Sequence, residues 1–230
     1  MHRTALRHGQ LFFETYLKDV ENPTIVDVGA LDVEGSLRSV APHKAKYIGV
    51  DFAAGSGVDV ILDDPYVLPF EDGSIDVVVS SSCYEHAEFF WLSFLEVLRV
   101  MRPSGLFYLN VPSNGWFHRY PVDCWRFYPD SGIALQNWGR RNGYSVALLE
   151  SFVGRQHLGS WNDFVAVFIK DGENADRYPG RMQDSAKSFM NGRVDGSDEV
   201  LNYSMNQEYQ RGICWKTRRF VLGTLLRLLG

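Results

Sequence analysis

Two stretches of the chain collect most of the residue types that could do chemistry. The first, Asp27-Val28-Gly29-Ala30-Leu31-Asp32-Val33-Glu34-Gly35, follows the β-branched run Thr24-Ile25-Val26 and sets one glycine among carboxylates. A Gly-x-Gly-x-x-Gly loop uses its glycines to bring backbone and helix N-terminus against a pyrophosphate. Here Ala30 and Leu31 follow Gly29, and Asp32 and Glu34 would repel an anion, so the loop suits a cationic ligand. Asp51 closes the next apolar run, at a separation where a carboxylate can accept hydrogen bonds from both hydroxyls of a ribose. The second stretch, residues 114–129, reads NGWFHRYPVDCWRFYP. Aromatic faces there could pack on the apolar faces of sugar rings while His118, Asp123 and Arg126 address hydroxyls. Imidazole and carboxylate together also offer proton transfer, with His118 as general base and Asp123 orienting its ring or binding an acceptor hydroxyl. The alternative is an Asp123–Arg126 ion pair that folds the loop while His118 caps a turn. His157 and Asp163 further on are backup candidates, and Glu85 and His86, after the fourth strand, could also reach the acceptor, although His86 is read as a packing residue.

These groups need a scaffold that delivers them to one edge. Apolar side chains at i, i+3, i+4 and i+7 predict a helix over 11–20, and Asn22-Pro23 separates it from a first strand over 24–29. Further strands are expected at 47–51, 58–62, 75–80, 105–111, 145–149 and 164–169, with helices starting near Ser36 and over 90–101 and 129–141. Alternating β and α elements imply an α/β, doubly wound, Rossmann-like sheet, seven-stranded and mostly parallel, with helices on both faces. Ligands of such sheets sit outside the carboxyl ends of the strands, which is where both stretches fall. The core domain is expected over 1–171 and a polar C-terminal extension over 172–230. The extension ends in an amphipathic helix at 218–229 that docks on the protein or on a second copy of it, or else makes peripheral membrane contact.

Composition narrows the function classes. With 45% hydrophobic and 22% charged residues among 230, the chain can bury a core, and a net charge of −5 gives no reason to seek nucleic acid. Cys83, Cys124 and Cys214 are odd in number and far apart, which fits neither a disulfide framework nor a zinc cluster, so a reducing cytoplasm is expected. No stretch is long and apolar enough to span a bilayer.

The ordered series of motifs resembles the class I S-adenosylmethionine-dependent methyltransferases, in particular type 11. It runs from residues 24–35 and 47–51 through Asp64, Leu68-Pro69-Phe70-Glu71-Asp72-Gly73-Ser74, Glu85-His86 and Arg102-Pro103-Ser104-Gly105. The sulfonium and ammonium of that cofactor agree with the acidic loop. The resemblance implies that Asp27 and Gly29 frame the methionine portion, Asp51 holds the ribose, Asp64 or Asp63 faces the adenine, and Ser81 lies near the sulfonium. The His118–Phe127 pattern resembles methyltransferases associated with bacterial surface and storage glycans, which makes O-methylation of a saccharide hydroxyl the leading expectation. A lipid-like or aromatic small-molecule acceptor and a non-catalytic cofactor-binding module are the alternatives. A divalent metal such as magnesium is compatible with the abundant carboxylates, but no spacing names a site.

Overall fold

The computed structural model describes residues 2–155, 161–186 and 188–205. Among these, eight strands form one sheet: β1 Thr24–Val28, β2 Lys46–Asp51, β3 Val60–Ile61, β4 Ile75–Ser81, β5 Met101–Pro112, β6 Val146–Gly154, β7 Asp163–Lys170 and β8 Phe189–Val194. Their order is β3-β2-β1-β4-β5-β7-β6-β8. The first five strands pair in parallel, β7 runs antiparallel to β5 and β6, and β8 runs antiparallel to β6. Strand β1 has β2 on one side and β4 on the other, so the order reverses there and opens a crevice at the carboxyl ends of both.

Helix α1 (Arg3–Tyr16) lies on one face, burying Phe12, Phe13 and Tyr16 with Val77, Val79 and Tyr108. Helices α2 (Phe90–Val100) and α3 (Ser131–Arg141) cover the other, where Phe94, Val97 and Leu98 join Val78, Phe107 and Phe168. Burial of each such side chain stabilises by about 1.5–3 kcal/mol relative to exposure. Glu150, fully buried on β6, stitches three elements together. It accepts from the Tyr16 hydroxyl at 2.6 Å and from the backbone N–H of Met182 and Gln183, which open the short helix α4 (Met182–Ser185), at 2.6 and 3.1 Å. Burial is the main cause of its raised pKa.

Two departures from the sequence reading have local causes. The helix expected from Ser36 is a single 3-10 turn, Leu37–Val40, because Pro42 disfavours helical geometry at the residue before it and Ala41 is extended, with ψ 154°. Leu37 is fully buried against Gly9 of α1, where a Cβ would come within 2.2 Å of it. Seven strands were expected, and the eighth comes from the extension: Phe189–Val194 is poor in β-branched residues and gains its strand geometry by pairing along β6. The C-terminal helix over 218–229, Cys214 and His157 lie outside the described residues. No helix among the described residues is long and apolar enough to cross a membrane.

The Leu68–Gly73 motif is structural. Arg99 of α2 donates to the carbonyls of Leu68 and Phe70 at 2.9 Å each and its own carbonyl accepts from Gly73 N–H at 3.0 Å, while Glu96 accepts from Leu68 N–H at 3.0 Å. The turn leading into β4 is thereby clamped to α2, which fixes the start of the strand that ends in Ser81.

Candidate active site

A cavity of about 920 Å³ opens at the carboxyl ends of the strands, and Asp27, Gly29, Asp51, Ser81, His118 and Asp163 all line it. Its first half is built by the loop after β1. Gly29 has φ +82°, and a Cβ there would stand 2.5 Å from Cβ and Sγ of Cys83, so the chain turns where no side chain fits. The N–H groups of Gly29 and Ala30 donate to the Val50 carbonyl at 3.0 and 3.1 Å, which locks the loop to the end of β2. Asp51 accepts from Leu31 N–H at 3.2 Å and from Ala53 N–H at 3.0 Å, so its carboxylate is oriented by backbone. Asp27 is 4% exposed and accepts from the Tyr47 hydroxyl at 2.7 Å. Burial lifts its pKa to about 6, against the pull of Tyr47 and Arg38 and with a further push from Asp51. Ser81 Oγ is buried and has no hydrogen-bond partner among the described residues.

These features fit a cationic, hydroxyl-bearing ligand: two carboxylates, a close-approach glycine and an unpaired hydroxyl face one space. Asp63 and Asp64 stand apart. Both are exposed and outside the cavity wall, which is built there from Leu62, Pro65 and Tyr66. Asp64 accepts from Tyr66 N–H at 2.8 Å, an Asx turn that directs the chain away from the carboxylate.

The second half of the cavity comes from the loop between β5 and α3. The Asp123–Arg126 ion pair is present in this loop, with His118 beside it. Arg126 makes a two-pronged ion pair with Asp123, at 2.8 Å for Nη2–Oδ2, and also donates to the Trp116 carbonyl at 2.8 Å. That Arg126 pairing, chiefly, holds the Asp123 carboxyl at about 2. Asp123 in turn accepts from His118 N–H at 2.6 Å and stands 3.4 Å from His118 Nδ1. The loop is moored to the segment after β4 through Cys124 and Trp125 N–H, which both donate to the Glu85 carbonyl. His118 meets Trp161 and His86 edge-on, with ring centroids 4.7 and 4.9 Å apart. Trp116, Phe117 and Tyr120 remain exposed on the same loop, at 67%, 76% and 54%, and offer aromatic surface beside the opening.

Two groups gain importance that the sequence reading gave them only slightly or not at all. Glu85 lines the cavity at 1% exposure, and burial raises its pKa to about 8. His2, just ahead of α1, also reaches the cavity, with Nε2 3.0 Å from Asp163, whose other oxygen faces His8 Nδ1 at 3.4 Å. Asp163, a backup candidate in the sequence, is held by two histidines of the leading segment. Nothing in local sequence periodicity signals a contact between residue 2 and residue 163. Glu85 directly after the β4 loop was visible, but its burial depends on how the β5–α3 loop closes over it.

Residues 15–109 match the family model described as a methyltransferase domain. Over 88 residues the chain is 39% identical to a phthiotriol/phenolphthiotriol dimycocerosates methyltransferase of Mycobacterium ulcerans, covering 31% of each protein. The Mycobacterium tuberculosis counterpart is 37% identical over 96 residues, 35% of this chain and 34% of its own length. The chain thus spans about a third of the length of these curated relatives. Among solved structures, a 1,6-didemethyltoxoflavin-N1-methyltransferase of Burkholderia thailandensis, determined with S-adenosylhomocysteine bound, superposes with a TM-score of 0.58 at 12% identity over 72% of this chain and 78% of that one. Residues 15–109 are thus similar to a methyltransferase domain, and the chain shares its fold with the Burkholderia thailandensis methyltransferase.

Proposed function

We propose that the protein is an S-adenosylmethionine-dependent O-methyltransferase whose acceptor is a hydroxyl of a saccharide or glycan. One observation carries the reading: a single cavity joins the Asp27–Gly29–Asp51–Ser81 end to an end lined by His118 and Asp163. When bound, the cofactor supplies a methyl group made electrophilic by its sulfonium. In this proposal Asp27 and Gly29 receive the methionine portion, Asp51 accepts from the ribose hydroxyls, and Ser81 lies toward the sulfonium. His118 assists removal of the acceptor proton, Asp123 fixes its orientation through the loop, and Asp163 addresses an acceptor hydroxyl. His157 is a further candidate for that end. Alignment of the two reacting groups and exclusion of water supply much of the acceleration in such a displacement. Free Cys83 and Cys124 fit a reducing compartment such as the cytoplasm.

A lipid-like acceptor is the second reading, supported by the names of the mycobacterial relatives and by the exposed aromatic side chains beside the cavity. Incubation with labelled methyl donor and a panel of oligosaccharides and apolar alcohols separates the two. Transfer to sugars is the expected result, transfer confined to the apolar alcohols supports the second reading, and no transfer to any acceptor points to a cofactor-binding module.

The titration of Asp27 gives a pH signature. Its raised pKa means that the apo protein loses stability as pH rises from the unfolded value near 4 through about 6, a cost of about 3 kcal/mol that a bound cation offsets. A cationic ligand favours the ionised form, so cofactor affinity should be full above pH 7 and weaker by about tenfold at pH 5. The cofactor's ammonium stays protonated across that window. Calorimetric titration at several pH values should show this slope in the wild type and a flat profile in Asp27→Asn; a flat wild-type profile places the cofactor's charge away from Asp27.

A further inference from the structure

We propose that Glu85, His86 and His118 form a binding site for one divalent transition-metal ion at the acceptor end of the cavity. The three side chains come from two segments, the β4–α2 loop and the β5–α3 loop, and one ligand atom of each lies within 4.8 Å of the others. All three line the same cavity.

Three further observations point to a cation there. Glu85 Oε2 is buried and has no hydrogen-bond partner among the described residues, although its side chain is only 2% exposed. An unpaired buried carboxylate oxygen is costly, so a ligand is expected to complete it. His86 Nδ1 faces the Val122 carbonyl, an acceptor only, and the neutral ring therefore carries its proton on that nitrogen. The lone pair on Nε2 is left toward Glu85 Oε1, at 3.7 Å. That gap is too long for a hydrogen bond and matches two ligands awaiting a shared cation. A metal-bound histidine usually donates its second N–H to a carbonyl or carboxylate in this way. His118 Nδ1 lies 3.4 Å from Asp123 Oδ2 and 3.5 Å from Arg126 Nη2, and with its proton turned to the carboxylate Nε2 is left for the metal. Arg126 is engaged by Asp123, by the Trp116 and Trp125 carbonyls and by His118 Nδ1.

Metal–ligand distances of about 2.0–2.2 Å put tetrahedral ligand atoms about 3.4 Å apart, so a pair 4.8 Å apart closes by roughly 1.4 Å, and His118, 40% exposed, has room to move. Two imidazoles and one carboxylate suit zinc, manganese, iron or cobalt better than magnesium, which prefers oxygen ligands throughout. A metal held there would be open to the cavity that all three residues line. The chemistry that a metal supplies at such a position is a lower pKa for a bound hydroxyl. That role rests on the acceptor reading above, whereas metal binding itself does not.

The test is titration of the untagged full chain, stripped with chelator, with Co²⁺ followed by visible absorption and with Zn²⁺ followed by calorimetry. One ion per chain should bind, and His118→Ala and Glu85→Gln should each weaken binding at least tenfold while leaving the thermal melt cooperative. His118→Ala changes a half-exposed side chain and keeps the test interpretable if Glu85→Gln does not fold. Absence of binding, or binding equally strong in folded His118→Ala and His86→Ala, overturns the proposal and makes a proton the cation shared by Glu85 and His86. S-adenosylmethionine titration of the same samples separates the two ideas: a chain that binds cobalt but not the methyl donor keeps the metal site and loses the methyltransferase reading, and the reverse result does the opposite.

Discussion

Gly29→Ala is expected to weaken S-adenosylmethionine binding at least 100-fold and to lower the stability of the folded protein. At φ +82° a Cβ costs about 1–2 kcal/mol in backbone energy alone. The added carbon would also lie 2.5 Å from Cβ and Sγ of Cys83, and forcing a methyl into a packed contact costs about 1–3 kcal/mol more. Relieving the clash requires this loop or Cys83 to shift, and a shift of the loop distorts the two hydrogen bonds from Gly29 and Ala30 to Val50 and displaces Asp27 and Leu31 with them. Cofactor titration and thermal melts on the same preparation measure both effects. A mutant that binds within threefold of the wild type would show that the tight path of this loop does not serve the cofactor.

His118→Ala is expected to leave cofactor affinity unchanged and to lower the single-turnover transfer rate by about 100-fold or more, the usual contribution of positioned acid–base assistance. His118 touches His86, Trp161 and the Asp123–Arg126 pair, and none of its recorded partners is Asp27, Gly29 or Asp51. A loss confined to the chemical step is therefore predicted both for a base and for a metal ligand, and the Co²⁺ titration distinguishes them. Asp123→Asn should behave more severely for folding, because Arg126 then loses its charged partner while remaining largely buried. Retention of the full rate by His118→Ala would make this histidine a packing residue and bring Asp163 and His157 forward.

The sequence reading recovered those parts of the molecule whose signals are local. Thr24–Val28 and Lys46–Asp51 are β-branched or apolar runs bounded by breakers, and the helix Phe90–Val100 repeats its apolar side chains at helical spacing. Gly29 was legible because a glycine ending a strand has a conformational reason to be there. What escaped was set by long-range contacts. The strand Phe189–Val194 exists through its partner β6, and the approach of His2 to Asp163 depends on α1 folding across the sheet edge. The helix expected after Ser36 stops at Ala41, which Pro42 holds extended. Asp63 and Asp64 were carried over by resemblance to a turn whose local hydrogen bonding, Tyr66 N–H to Asp64, leaves both carboxylates exposed. Glu85 was visible in sequence as a group able to reach the acceptor, but its burial was not, because the 114–129 loop packs over it through Cys124 and Trp125.

The central claim is that the acidic, glycine-turned half of the cavity holds S-adenosylmethionine. Calorimetric titration of the wild type and of Asp51→Ala with that compound tests it most directly. Two backbone N–H groups already hold the Asp51 carboxylate in place, so its remaining acceptor capacity is available to a ribose at little ordering cost. Each hydrogen bond to a charged group contributes about 1.5–3 kcal/mol. The account predicts one cofactor per wild-type chain and an affinity lower by about 10-fold to 100-fold in a folded Asp51→Ala. No binding to the wild type, or equal affinity in the two proteins, would contradict it.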